Sequence, residues 1–201
     1  MTAGAQLRGR PRLFDEEKVL DKAIELFSSS GYSAVGVNDL TRATGLKVGS
    51  IYKAYENKEN FFAKALQRYI RLRETQIASS LAQLSRGRDR IAQLLHLYVA
   101  LSQGREGIAG CLMVAGITEM QNFTFVNDIL RQQIAERRQV IGDLVALGQR
   151  DGSVGNDAPP ALIADILITL LYGMRVLGKA QSFISEADAE AWVSSALKIL
   201  D

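Results

Sequence analysis

Seven consecutive residues, Lys47 to Lys53, carry two ammonium groups, the hydroxyls of Ser50 and Tyr52, and the small apolar Val48. Such groups suit charge pairing and hydrogen bonding to phosphates and base edges rather than bond-making. The surrounding stretch, VNDLTRATGLKVGSIYKAY from Val37 to Tyr55, shows how they would be held. Val37, Leu40 and Ala43 recur at helical spacing, so Val37 to Thr44 reads as a short helix with one buried face. Gly45 supplies the left-handed backbone that ends it. A second helix from about Val48 to Ala54 is anchored by Ile51 and Tyr55, which leaves Lys47, Ser50, Tyr52 and Lys53 outside, and Gly49 lets another backbone come close. Two short helices around a glycine turn make a helix-turn-helix; a helical hairpin in an ordinary bundle has the same periodicity.

Covalent chemistry has little to work with. The chain has one histidine, His96, and one cysteine, Cys111, with no Gly-x-Ser-x-Gly elbow, glycine-rich phosphate loop or metal-ligand cluster. No enzymatic activity, metal or cofactor is expected. The lone cysteine excludes an internal disulfide framework and suits a reducing cytoplasm.

A length of 201 residues, 47% hydrophobic and 23% charged, describes an ordinary globular protein of one or two domains. Its net charge of +2 is too small to mark the whole chain as nucleic-acid-binding, so the argument rests on where cations lie. Residues 1–12 hold Arg8, Arg10 and Arg12 with no acid, and read as a flexible basic arm. Arg10 and Arg12 suit the narrow minor groove of A·T-rich DNA, though a solvated tail has the same composition. The same polar run lacks the apolar core of a signal peptide. The run Ala161 to Ala180 is interrupted by Asp165, Arg175 and Lys179, and reads as a buried helix rather than a membrane span.

Periodicity supplies the remaining elements. Asp15 caps a first helix striped with Val19, Leu20, Ala23, Ile24 and Phe27, and Asn57 opens a long helix reaching Leu84. Asp89 is placed as the cap of a helix through Val99, after which Gly104, Gly107 and Gly110 loosen the chain. Further helices are expected over about 111–120, 122–148, 159–179 and 186–200, the last with Ser185 and Asp188 at capping-box spacing. With no convincing strand, the fold class is all-α with about nine helices. Residues 1–12 form the arm, 13–58 the helix-turn-helix domain and 59–201 a helical remainder.

The run from Val19 to Phe62 resembles the amino-terminal domain of the TetR family of bacterial transcriptional regulators. The matching positions are Ala23 and Phe27, then Gly31-Tyr32, then Leu40, Gly45, Gly49, Tyr52 and Tyr55, and last Lys58-Glu59. One position departs: where family members often have Ser or Thr to open the second helix, this chain has Gly36, so a phosphate contact there would come from backbone N–H. The resemblance implies a homodimeric repressor on a palindromic double-stranded operator, with Tyr52 giving its hydroxyl to a phosphate. Lys47, Ser50 and Lys53 are expected at the groove or its phosphates, Val48 at a thymine methyl, and Lys58 at a phosphate beside a helix start.

For the remainder, the resemblance implies a ligand-binding and dimerisation domain whose last two helices form a four-helix interface. Leu170, Leu177, Trp192, Val193 and Leu197 are placed on that interface. A small apolar inducer is expected near His96, Tyr98, Met113, Thr118, Phe123, Phe125, Tyr172 and Arg175, several of which serve equally well as plain core. Gly110-Cys111-Leu112 resembles a segment in part of the family, so sensing of electrophiles or oxidants through Cys111 is an alternative, against an inert buried thiol. A helical ligand-binding dimer without DNA function is the other.

Overall fold

The computed structural model describes residues 14–120, 123–181 and 183–201, and among these every regular element is a helix. The order is α1 Glu16–Ser30, α2 Val37–Thr44, α3 Val48–Tyr55, α4 Lys58–Leu81, α5 Gly87–Leu101, α6 Gly104–Ala109, α7 Leu112–Glu119, α8 Thr124–Arg150, α9 Pro160–Lys179 and α10 Ala189–Ala196. Short 3-10 turns flank α10 at Glu186–Asp188 and Leu197–Leu200.

The expected caps operate at the amino-terminal elements. Asp15 accepts the amide of Lys18 at 3.3 Å and Asn57 that of Asn60 at 2.7 Å. Gly45, at φ 73°, ends α2. The start of α5 differs from expectation. The helix begins two residues before Asp89, and its first amides are met by residues distant in sequence, just past the end of α8: Gly87 donates to Asp151 Oδ2 at 2.9 Å and Arg88 to Ser153 Oγ at 3.1 Å. The glycine-rich stretch after α5 folds into α6, a helix not expected from the sequence, because Gly107 lets it lie against the chain at Ser102.

Two cores are strung along α4 and α8. The first gathers Phe27, Leu40, Ile51, Tyr55, Phe61 and Phe62 with Leu112, Met120, Val126 and Leu130, so α7 and the start of α8 pack under the helix-turn-helix. The second joins the far end of α4 (Ile77, Leu81) to α5, α8, α9 and α10. A helix of 24 residues is about 36 Å long, enough for α4 to reach both. Polar ties add to the packing: Arg68 on α4 forks onto Asp21 of α1 at 2.7 and 2.9 Å, and Lys179 at the end of α9 donates to the carbonyl of Ser29. Among the described residues one helix, α9, has the length and hydropathy to cross a membrane; its buried face packs on α8 and α5 within the protein.

Candidate nucleic-acid interface and ligand cavity

Ile51 and Tyr55 hold α3 to the first core at 2% and 3% exposure, Tyr55 stacking on Phe61 with ring centroids 4.0 Å apart. The opposite side is open. Lys47, Val48, Gly49, Ser50, Tyr52 and Lys53 are all exposed, so the structure brings together on one face the six residues selected from this stretch. A Cβ built at Gly49 would meet nothing within 4 Å.

Two neighbouring positions behave differently. Gly36 caps α2 with no side chain of its own, and its amide is given to Asp39 Oδ2 at 2.8 Å, leaving Val37 and Asn38 as the first-turn amides without an intrahelical partner. That bond, followed by Arg42, holds the Asp39 carboxyl below the usual carboxylate range. Lys58 points inward. Its ammonium donates to the carbonyls of Tyr32 and Val35, each at 2.9 Å, and lies 4.0 Å above the Tyr32 ring, clamping the α1–α2 connection. Arg10 and Arg12 lie outside the described residues.

The body encloses a cavity between α4, α5, α8 and α9, with Cys111 and Met113 at the start of α7. Of the residues expected near a ligand, Tyr98, Met113, Tyr172 and Arg175 line it. The others do not. His96 faces Glu190 of α10 at 3.7 Å, Thr118 returns its hydroxyl to the carbonyls of Val114 and Ala115, Phe123 packs on Tyr32 at 5.3 Å, and Phe125 is 53% exposed. Sequence reading places Tyr69 in the core and passes over Arg73, Glu74, Gln133 and Arg137, which complete the wall. The available signal is polar residues at otherwise buried helical positions. Burial pushes the phenols of Tyr69, Tyr98 and Tyr172 up, so all three remain protonated donors at neutral pH. The free volume is about 20 Å³, room for about one water-sized group, so a larger ligand has to displace side chains.

The surfaces expected to pair two copies are also rearranged. Val193 is buried in its own protomer at 1% exposure, and Trp192 and Leu197 pack on the second core, because α5 covers the apolar face of α10. Leu170 is half-buried. Leu177 is exposed in a stripe with Leu162, Ile166 and Val176 along α9.

A helix-turn-helix that presents cationic, hydroxyl and apolar groups outward, joined by one long helix to a helical body, is the architecture of a DNA-binding regulator. Residues 19–65 match the family model described as bacterial regulatory proteins, tetR family, and this amino-terminal part of the chain is a DNA-binding domain of that family. It is 29% identical over 174 residues to the HTH-type transcriptional repressor ComR of Escherichia coli K12, covering 84% of this chain and 81% of the relative. It is 27% identical over 161 residues to the repressor DhaR of Mycobacterium sp. strain GP1, covering 78% of each. Among solved structures, a cysteine mutant of the TetR family regulator CifR, complexed with 26-base-pair operator DNA, superposes with a TM-score of 0.81 at 28% identity, covering 94% of this chain and 98% of that one. The protein is a transcriptional regulator and not an enzyme.

Proposed function

We propose that this protein is a cytoplasmic repressor that binds a palindromic operator as a homodimer and leaves it when a small molecule enters the body cavity. The observation that carries the reading is the outward face of α3, where Gly49 stands in open space among exposed Lys47, Ser50, Tyr52 and Lys53. Residues 13–58 act as the DNA-binding domain and 59–201 as the regulatory one, with residues 1–12 reaching the minor groove through Arg10 and Arg12. Tyr52 and Lys47 hold phosphates, Lys53 and Val48 reach base edges, and the α2 start at Gly36 supplies amides. Lys58 contributes by clamping the loop that sets the angle of α2. The CifR operator complex and the repressor relatives support this assignment.

Dimerisation is assigned to α8 and α9. Ile166 lies four residues after Leu162, and Val176 and Leu177 lie ten and eleven residues after Ile166, all in helical register, while Val140 is exposed on α8, the helix that packs on α9. Coupling follows from α4. Its middle, at Tyr69, Ile70 and Arg73, walls the cavity, while its start packs on α3, and Arg68, next to Tyr69, ties it to α1 at Asp21. A ligand that needs more room than the closed cavity offers moves α4 and with it the reading heads; only its differential affinity for the two states matters.

Selection of bound duplexes from a random pool, followed by salt titration on the winner, tests the reading. An inverted repeat is expected, with affinity falling steeply in salt. Lys47→Ala is expected to weaken specific and random DNA alike and lower the salt slope by about one unit, whereas Lys53→Ala weakens the selected site more. Absence of any enriched sequence at low salt would remove the DNA-binding assignment.

A second reading rests on Cys111, whose Sγ lies 3.4 Å from the Tyr69 hydroxyl on the cavity wall, with Arg73 nearby. A thiol beside a cation and a cavity is placed to react with an electrophile that enters. Under this reading Cys111→Ser abolishes release of operator by an electrophile such as N-ethylmaleimide while leaving operator affinity unchanged. Release that persists in the variant excludes the thiol as sensor.

A further inference from the structure

Two arginines enter the cavity wall from within the protein, Arg175 of α9 at 1% exposure and Arg137 of α8 at 4%. They are served unequally. Arg137 is paired with the carboxylate of Glu74, which also accepts from Gln133 Nε2 at 2.6 Å. Arg73 meets Glu106 at 3.4 Å. Among the described residues Arg175 has only main-chain carbonyls: its Nη2 donates to Gly110 and, at 3.3 Å, to Glu106. Its Nε and Nη1 are buried with no acceptor among the described residues, as is Nη1 of Arg137.

A guanidinium stays protonated at any pH at which the protein is folded. Counting the charges around the cavity, Arg73 is offset by Glu106 and Arg137 by Glu74, which leaves the charge of Arg175 uncompensated. A buried cation without a counter-charge, and with donors unmet, is among the more costly features a fold can hold. Core packing alone would be served better by an apolar side chain of the same length.

We propose that the cavity binds a small monoanionic carboxylate, whose oxygens take the unmet N–H groups of Arg175 and Arg137. This deepens the effector reading and rests on it. One negative charge is what the count requires. The protonated phenols of Tyr98 and Tyr172 supply further neutral donors, and Ile70, Leu101 and Met113 cover a short apolar substituent. The volume of about 20 Å³ holds about one water-sized group, so even formate displaces side chains and a longer carboxylate displaces more, the α4 side of the wall included. Charge neutralisation thus supplies affinity, and the substituent supplies displacement.

The test uses the full-length protein in buffer free of halide and carboxylate. Thermal unfolding and operator affinity are followed with formate, acetate and benzoate, and in parallel with formamide, acetamide and benzamide, which match them in shape without the charge. Carboxylates are expected to raise the melting temperature saturably and the amides not to. In Arg175→Met the half-saturating concentration rises at least tenfold, while the ligand-free variant melts at or above the wild type. Should Arg175→Met fail to fold, Arg175→Gln and a bromide soak, read as an anomalous peak at the Arg175 guanidinium, report on the same charge.

Failure of the carboxylates and of bromide to bind overturns the proposal. Amides that bind as well as carboxylates and release the operator also overturn it, while leaving the effector cavity standing. Carboxylates that bind through Arg175 without altering operator affinity confirm the anion site and remove the effector reading instead.

Discussion

Gly87→Ala is expected to destabilise the protein by about 3 kcal/mol or more, the upper range for forcing extra atoms into a packed interior. The added Cβ would stand 2.2 Å from the amide nitrogen of Gly148 and 2.5 Å from the carbonyl oxygen of Leu144, both backbone atoms of α8. Neither can swing aside as a side chain would. To make room α5 must move off α8, which loosens the bonds from Gly87 to Asp151 and from Arg88 to Ser153 that begin the helix. For a chain of this length the loss corresponds to a fall in melting temperature of roughly 6–12 °C. Gly152→Ala is the matched control. Gly152 has φ 71° but nothing within 4 Å of its built Cβ, so only backbone strain of about 1–2 kcal/mol applies. Equal losses in the two variants, measured by thermal or urea unfolding, would show that α5 and α8 are not held in backbone contact.

Gly87 also shows where sequence reading stops. Helical periodicity is local, so stripes such as Val19, Ala23 and Phe27 locate elements, and Asp15, Asn57 and Gly45 mark their ends from adjacent residues. The exposed face of α3 was legible for the same reason: Ile51 and Tyr55 fix which side is buried, and the rest follows from geometry. What periodicity cannot carry is the identity of the partner. The cap of α5 comes from Asp151, 64 residues away. Trp192, Val193 and Leu197 form a sticky face in sequence, yet whether it meets α5 or a second copy depends on a fold the stripe does not encode. The cavity is the extreme case. Its polar wall is split among α4, α5, α8 and α9, each contributing one to three side chains that look like interruptions in otherwise apolar faces. Only their convergence makes Arg175 a residue without a counter-ion.

Gly49→Ala is expected to separate stability from function. A glycine inside a helix is about 0.5–1 kcal/mol less stable than alanine, because it loses more backbone freedom on folding. At Gly49 the helix is exposed and the new methyl group has open space, so the variant should fold at least as well as the wild type, gaining up to about 1 kcal/mol. Nothing within the described protomer therefore accounts for glycine at this position. What does is the approach of DNA: flanked by Lys47, Val48, Ser50, Tyr52 and Lys53, a bare backbone lets the helix sit against a phosphate or base edge that a Cβ would hold off. Operator affinity is expected to fall about tenfold or more, which is 1.4 kcal/mol or more of lost interaction. Binding to random DNA should fall less, since looser complexes rely on charge that the substitution leaves in place. The measurement pairs a melting curve with titrations on the selected operator and a scrambled duplex. Unchanged operator affinity in a variant of raised stability would mean that DNA does not approach this helix at Gly49, and the docking face would have to be sought elsewhere on the helix-turn-helix.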